Sequence, residues 1–298
     1  MTGLGALIRR NVKLFFHDKG MFFTSLITPL ILLVLYGTFL AGIYRDSFTS
    51  ALPAFFSVEE SLIDATVGGQ LVSSLLAVSC VTVAFCSNLL MVQDKVSGAR
   101  RDLTVSPVRH STLAVGYFCA SALTTLIVSV TAYAVCLAYL GRMGWYLSAA
   151  DVLALLLDVV LLTLFGVALS SCVNFFLSTS GQASAVGTIV SAGYGFLCGA
   201  YMPISNFSEG LQKALSFLPG TYGTSLLRNH ALRGVYAELR AAGFPDEAVE
   251  MIRDSIDCNL YFYGEKVSVP AMYLILIAAV AVLTALYVLL NVLSTKRR

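Results

Sequence analysis

The sequence predicts an all-α membrane protein with six transmembrane helices. Hydrophobic residues make up 57% of its 298 residues and charged residues only 12%, whereas a soluble globular domain carries about 25% charged residues. Several apolar runs are long enough to cross a bilayer, which takes about 20 residues of helix. The predicted spans are residues 21–44, 66–92, 114–140, 151–177, 183–202 and 269–293.

Basic residues near the span ends predict the orientation. If both termini are cytoplasmic, the basic residues of the N-terminus, of the loop at 93–113 and of the C-terminus all lie inside, as the positive-inside rule requires. The opposite orientation leaves inside two short loops with one basic residue each, Arg45 and Arg142. We therefore expect a multi-pass protein of the plasma (cytoplasmic) membrane with both termini in the cytoplasm.

The N-terminal segment, residues 1–20, is amphipathic at helical period. Its apolar residues share one side, and Arg9 and Lys13 face the other, which predicts a helix lying in the cytoplasmic membrane interface. The alternative is a plain extension of the first span. The Asp-Lys-Gly break at 18–20 argues against that extension.

Residues 203–268 are too polar to span the membrane and too regular in apolar spacing to be disordered. This pattern predicts an extracellular segment of short helices that dips partly into the outer leaflet. Tyr261, Phe262 and Tyr263 stand just before the last span, where aromatic residues of an interfacial belt are found.

Enzyme motifs are missing from the sequence. No glycine immediately precedes any lysine, so a GxxxxGK[ST] phosphate-binding loop is absent. There is no HExxH or GxSxG motif, and His17, His110 and His230 are far apart. We expect no catalytic residue, no metal site and no cofactor bound by this chain. The basic residues are dispersed along membrane edges, which argues against nucleic-acid binding.

Small residues recur every four positions in the fifth span. They would give one helix face without bulky side chains, which allows close helix packing. This face either packs within one subunit or lines a moving contact or a substrate path. The residues are Ala183, Gly187, Ser191, Gly195 and Gly199.

Asp158 is a charged residue well inside the fourth span, two turns below Asp151 on the same face. An ionisable side chain at that depth is costly, so it is a candidate functional residue. The structural alternative is a protonated carboxyl, or one paired with a polar neighbour.

A charged island separates the second and third spans. Within it, "SGARRDL" predicts a short helix with Ser97 as a possible cap, and Pro107 prevents simple continuation into the next span. The simplest interpretation is a solvated loop whose charges fix topology. A short rigid helix between two spans would, in addition, transmit force from a soluble partner.

These features, in this order, resemble the permease subunits of type-2 ATP-binding-cassette exporters, whose relatives include drug, polysaccharide and ABCG-like transporters. The resemblance rests on an N-terminal amphipathic helix before "FFTSLITPLILLVLYG", on "GARRDLTVSPVRHSTLAVG" between spans two and three, and on "PISNFSEGLQKALSFLPGTYGTSLLR" after span five. It covers essentially the whole chain and treats residues 1–298 as one permease domain. The glycine-rich "PGTYGT" and the long outer segment 229–268 depart from the family pattern.

The resemblance implies that ATP and Mg²⁺ are bound by a separate ATPase, two copies of which bind two permease chains, and that this chain is not itself an enzyme. The two permease chains form a homodimer or a heterodimer. The implied ATPase-coupling residues are Ser97, Gly98, Arg100, Arg101, Asp102 and Leu103. The implied path or close-packing residues are Gly187, Ser191, Gly195, Gly199 and Asp158, and the implied outer-gate residues are Pro219, Tyr222 and Arg228.

The apolar path suggests export of an amphipathic drug, peptide or lipid-like substrate, in the manner of multidrug transporters. One alternative is an ion- or proton-coupled secondary transporter that uses Asp158. Another is a scaffold or sensor in which the outer segment binds a ligand.

Overall fold

The structure is a computed structural model that describes residues 2–42, 45, 59–105 and 108–296. Most of these residues are helical. The helices are α1 (Thr2–His17), α2 (Lys19–Leu35), α3 (Glu60–Val96), α4 (Ala99–Val105), α5 (His110–Met143), α6 (Ala149–Phe176), α7 (Ser180–Leu197), α8 (Glu209–Leu215), α9 (Pro219–Ala231), α10 (Arg233–Ala241), α11 (Asp246–Ser255) and α12 (Val269–Lys296). A π-helical turn (Tyr36–Leu40) continues α2, a 3₁₀ turn (Ile204–Asn206) precedes α8, and a hairpin of β1 (Tyr261–Phe262) and β2 (Glu265–Lys266) precedes α12.

Helix α3 is the centre of the bundle. It packs against α2, α5, α6, α7 and α9, and the side chains along most of its length are buried. A helix that is apolar all round is typical of such a position. The contact with α6 is close because Gly166 has no side chain: a Cβ there would lie 3.0 Å from the carbonyl oxygen of Cys80.

Within the described residues, α3, α5, α6 and α12 are long and apolar enough to cross a membrane, and α1 with α2 counts as a fifth span if that bent pair is taken as one. Four of the predicted spans are therefore confirmed as helices long and apolar enough to cross a membrane. The predicted span 183–202 is helical only as far as Leu197 and is not among these helices. The six-span count stays a prediction.

The two ends of the bundle are distinct. At one end, here called the α4 end, Lys95 near the end of α3 meets the last carbonyl groups of α6. At the opposite end, here called the hairpin end, the hydroxyl of Ser61 at the start of α3 lies 2.9 Å from that of Tyr146, just before α6. Helices α3 and α6 therefore run in the same direction.

Helix α1 packs on the bundle through its apolar side. Phe15 is buried, Leu7 packs against Gly116 of α5, and Arg9 and Lys13 are exposed on the opposite side. The predicted break is present, because Asp18 caps α2 by accepting a hydrogen bond from the N–H of Met21. The axes of α1 and α2 differ by 73°, so α1 is not an extension of α2.

The predicted outer segment forms two layers at the hairpin end. Helices α10 and α11 build a small core with the first turns of α3, through residues such as Leu239, Val249 and Leu62. Helix α9 instead lies inside the bundle between α3, α6 and α12, with every residue from Gly220 to Ala231 buried. Helix α9 is thus buried among the long helices, and its re-entrant position in the membrane stays a prediction.

Some predicted features fall outside the described residues. These are the end of the first span at 43–44, most of the loop that follows it, the Pro107 break, and the C-terminal residues Arg297 and Arg298.

Candidate functional site

A groove of about 1300 Å³ opens between α2, α3, α7 and the outer segment. Most of its wall is apolar, with Ile31 from α2, Val67 from α3 and Phe196 from α7. Ligand sites in proteins are usually concave, mainly apolar and provided with a few polar groups. The groove therefore suits a molecule with a large apolar part.

Two polar side chains of α3 reach this groove. Thr66 and Gln70 line it and are buried. The amide nitrogen of Gln70 has no hydrogen-bond partner in the described structure. A buried amide without a partner costs free energy, so Gln70 is a candidate to bind a polar group of whatever enters.

The small-residue face of α7 divides into two parts. Gly187 and Ser191 line the groove, and a Cβ at Gly187 would meet open space. Gly195 instead packs under the ring of Tyr201, where a Cβ would lie 2.3 Å from the ring. Gly199 follows the end of α7 with φ +74°, a conformation that favours glycine. Gly195 and Gly199 lie outside the groove lining.

The predicted coupling segment contains helix α4, which joins two of the longest helices. Arg101 and Asp102 are exposed and Arg100 is half-buried, while Leu103 packs against a core cluster that includes Tyr117. The helix thus has one anchored side and one charged, accessible side, which is the arrangement that a docking element needs.

Ser97 does not cap α4, which corrects the prediction. It ends α3, where its N–H donates to the carbonyl oxygen of Gln93 at 2.9 Å. Gly98 then adopts φ +84°, and its carbonyl accepts the N–H of Arg101 at 2.7 Å. Glycine in the left-handed conformation is a common helix stop, so the turn between α3 and α4 is set by Gly98.

A partly buried ion pair holds α1 beside this turn. The guanidinium of Arg10 donates to both oxygens of Asp94, at 2.7 and 3.0 Å, and the hydroxyl of Tyr117 donates to the same carboxylate at 2.5 Å. The side chain of Asp94 is 7% exposed. Three helices, α1, α3 and α5, therefore meet at one carboxylate at the α4 end.

Lys95, the next residue, ties α3 to the end of α6. Its ammonium group donates to the carbonyl oxygens of Asn174, Phe175 and Leu177 at 2.6–3.1 Å. A cation at a helix C-terminus satisfies carbonyl groups that have no partner within the helix. The end of α3 is thus fixed to the end of α6 by three hydrogen bonds.

Arg228, a predicted outer-gate residue, is fully buried in α9. It donates to the carbonyl oxygen of Gly199 at 2.5 Å and pairs with Asp257 at 3.4 Å. Burial raises the pKa of Asp257, and the positive charge of Arg228 opposes that rise. Asp257 also accepts the backbone N–H of Ile204. Arg228 therefore ties α9 to the segment before it, through Gly199, and to the segment after it, through Asp257.

The other two predicted gate residues mark the start of α9. Pro219 is its first residue, a position that proline favours. Tyr222 is buried and donates to the carbonyl oxygen of Ser216 at 2.6 Å. The structure therefore brings Pro219, Tyr222 and Arg228 together on one buried helix.

Asp158 lies away from the groove lining. Its carboxylate oxygens lie 2.6 Å from Nδ1 of His230 on α9 and 2.5 Å from the hydroxyl of Tyr273 on α12. Ser148 caps α6 by accepting the N–H of Asp151, and Asp151 accepts the backbone N–H of Ser148 and lies 3.6 Å from Arg233. Pairing with polar neighbours, the structural alternative stated for Asp158, is what the structure contains.

Sequence comparison places the chain in a family. A family model described as ABC-2 family transporter protein matches residues 49–287, most of the chain. The chain belongs to the ABC-2 transporter family. A search among curated proteins finds no match. The predicted resemblance to type-2 ATP-binding-cassette permeases is thereby confirmed at the level of the family.

In this ABC-2 permease, the sequence analysis missed three candidate residues, Gln70, Arg10 and His230. Gln70 stands alone in an apolar run, and an isolated amide in such a run is a signal that was available. The partners of Asp94 and Asp158 carry no such signal, because Arg10 and His230 lie 84 and 72 residues away in the chain. Only the folded structure brings these residues together.

No group of three or more His, Cys, Asp or Glu side chains in the described part of the permease is arranged to hold a metal ion. Polar side chains that line the groove, such as Thr66, Gln70 and Ser191, are neutral donors and acceptors. They can orient a bound molecule by hydrogen bonds.

Proposed function

We propose that this ABC-2 permease is the transmembrane subunit of an exporter that is driven by a separate ATPase. In the complete transporter two permease chains bind two ATPase copies, which hold the ATP and Mg²⁺. The chain crosses the plasma membrane six times with both termini in the cytoplasm, so that α4 faces the ATPase. Each permease supplies half of the path, and the chain itself hydrolyses nothing.

The observation that carries this proposal is the anchored position of α4. Its accessible side presents Arg101 and Asp102, and the end of α3 just before it is tied to α1 and α6 through Asp94 and Lys95. A force applied to α4 would therefore reach three helices at once. A solvated loop with free charges would transmit none of it.

The groove supports an amphipathic cargo such as a drug, a peptide or a lipid-like molecule. Its apolar wall matches the apolar part of such a molecule, and the unpaired amide of Gln70 matches one polar group. An ion-coupled mechanism through Asp158 has less support, because both carboxylate oxygens of Asp158 are bonded to protein groups and the residue lies outside the groove lining.

The decisive experiment reverses the charge on α4. The permease is purified with its co-purifying ATPase and reconstituted in vesicles, and substrate-stimulated ATP hydrolysis is measured. Arg100→Glu with Arg101→Glu should leave insertion intact and abolish partner binding or stimulation. The matched control, Arg142→Glu with Lys213→Glu, reverses two exposed charges at the hairpin end and should keep both.

Failure to find any co-purifying ATPase, or full stimulation in the Arg100→Glu and Arg101→Glu variant, would reject the coupling role. The ion-coupled alternative is tested separately. Asp158→Asn should then stop gradient-driven uptake while ATP depletion alone leaves it intact.

A further inference from the structure

The bend between α1 and α2 carries exposed basic side chains that the proposed function does not use. Lys13 and His17 on α1 and Lys19 at the start of α2 are all exposed. Among the described residues none of the three has an acidic partner within ion-pair distance. The nearby carboxylate of Asp18 caps α2 instead. Lys13 and Lys19 therefore make the bend a positively charged surface.

The cations cannot turn inward, because the opposite side of α1 is occupied by the bundle. Leu7 and Phe15 are buried at 6% and 1% exposure, and Arg10 is held by Asp94. Rotation of α1 would break both contacts. Lys13 and His17 are thus fixed facing outward.

An exposed apolar stripe on α2 begins about one helical turn after Lys19. Phe23, Leu30 and Val34 on α2 are 60%, 53% and 61% exposed, and none of them lines the groove. Phe16 on α1 joins the top of this stripe through Phe22, with ring centroids 5.8 Å apart. Cations above an exposed aromatic and aliphatic stripe match the two parts of a phospholipid, the headgroup and the acyl chain.

We propose that the α1–α2 bend binds one anionic phospholipid. Its phosphate group lies against Lys13, His17 and Lys19, and an acyl chain follows Phe23, Leu30 and Val34. The occupant is a lipid and not an acidic peptide, because the exposed apolar stripe lies on α2, which with α1 counts as a candidate membrane span. Each lysine beside an anionic headgroup contributes about fivefold in affinity.

The test measures lipid binding to the purified full chain in detergent, without any partner protein. Native mass spectrometry compares phosphatidylglycerol with phosphatidylcholine. We expect one phosphatidylglycerol to bind in preference to phosphatidylcholine. Lys13→Gln with Lys19→Gln should weaken phosphatidylglycerol binding about 25-fold, the product of two fivefold losses. Lys13→Arg with Lys19→Arg should restore it.

The control variant is Arg142→Gln with Lys213→Gln, which removes two exposed cations from the hairpin end and should bind phosphatidylglycerol as the wild type does. Equal binding of both lipids by the wild type would overturn the proposal, and so would an equal loss in the control. Full competition by soluble glycerol 3-phosphate would also overturn it, since the site would then be a phosphate site without a lipid chain.

Discussion

Nδ1 of His230 lies 2.6 Å from Oδ2 of Asp158, which joins the buried helix α9 to the middle of α6. Tyr273 of α12 completes the contact by donating its hydroxyl to Oδ1 at 2.5 Å. Asp158 is 1% exposed, so its carboxylate depends on these two groups for the hydrogen bonds that water would otherwise supply. A polar helix can lie inside the bundle because such partners meet it there.

The first prediction concerns this contact. Asp158→Asn should lower the stability of the protein in detergent by about 3 kcal/mol, because it weakens a buried pair and leaves His230 poorly matched. His230→Gln should have a similar effect, and the double variant should lose less than the sum of the two. Thermal unfolding monitored by light scattering or intrinsic fluorescence measures all three.

A suitable control is Asp246→Asn, because Asp246 pairs with Arg240 on the surface with 83% of its side chain exposed. Exposed pairs contribute about 0–1 kcal/mol, so this variant should unfold like the wild type. Wild-type stability of Asp158→Asn would show that α9 is held in place by other contacts.

The second prediction concerns the ion pair at the α4 end. Arg10→Met removes the bidentate partner of Asp94 and leaves a buried carboxylate with Tyr117 alone. Because hydrogen bonds to charged groups contribute about 1.5–3 kcal/mol, amide hydrogen exchange in α1 should become at least about tenfold faster. The measurement is exchange of residues 2–17 followed by mass spectrometry.

Arg9→Met is the matched control, since Arg9 is the neighbouring residue and is exposed. Exchange in α1 should not change in that variant. The same rate for Arg10→Met and Arg9→Met would mean that packing of Leu7 and Phe15 alone holds α1 on the bundle.

Much of the membrane architecture was predictable because it follows from hydropathy and helix-breaking residues. The apolar runs of α3, α5, α6 and α12 crossed the length threshold on their own. The break at Asp18 and the proline at the start of α9 were visible as local signals. These features depend on residues close together in the chain.

The features that sequence reasoning missed depend on distant residues. The sequence of α9 contains Arg228, Asn229 and His230, so its hydropathy is that of an exposed helix, yet all three side chains are buried. Partners elsewhere in the chain, such as Asp257 and Asp158, make that burial possible. A single sequence does not reveal which distant polar residues form pairs in the folded protein.

The third prediction is a pH effect on the outer segment. Lys266, Asn259 and Arg253 all donate to Glu250, at 2.7–2.9 Å. The hydrogen bond from Lys266 is the main cause that lowers the pKa of Glu250 from 4.5 to about 2. A carboxylate whose pKa is lowered by folding stabilises the fold fully at pH values above the pKa that it has in the unfolded chain. This contribution is lost as the pH falls from about 4.5 to about 2.

Hydrogen exchange of residues 246–266 should therefore accelerate between pH 5 and pH 3 by more in the wild type than in Glu250→Gln, after correction for the intrinsic pH dependence of exchange. Other carboxylates titrate in both proteins, so the difference isolates Glu250. Glu247→Gln, at an exposed position on the same helix, should behave as the wild type. Identical profiles for wild type and Glu250→Gln would contradict the prediction.

The fourth prediction separates the two parts of the small-residue face on α7. Gly195→Ala places a methyl group where the ring of Tyr201 now packs, 2.3 Å from its nearest atom. The ring must leave its position against Phe196, where the two rings make an edge contact at 5.0 Å. Overpacking of this kind costs about 1–3 kcal/mol, so the melting temperature in detergent should fall.

Gly187→Ala is the matched variant, two turns earlier on the same face of α7. Its methyl group meets open space in the groove, and alanine favours a helix over glycine by about 1 kcal/mol. Stability should therefore be kept or raised, while transport in vesicles falls if the groove carries the substrate. Equal melting temperatures for the two variants would show that the face acts as one uniform packing surface. A stable Gly187→Ala variant with full transport would place the substrate path elsewhere.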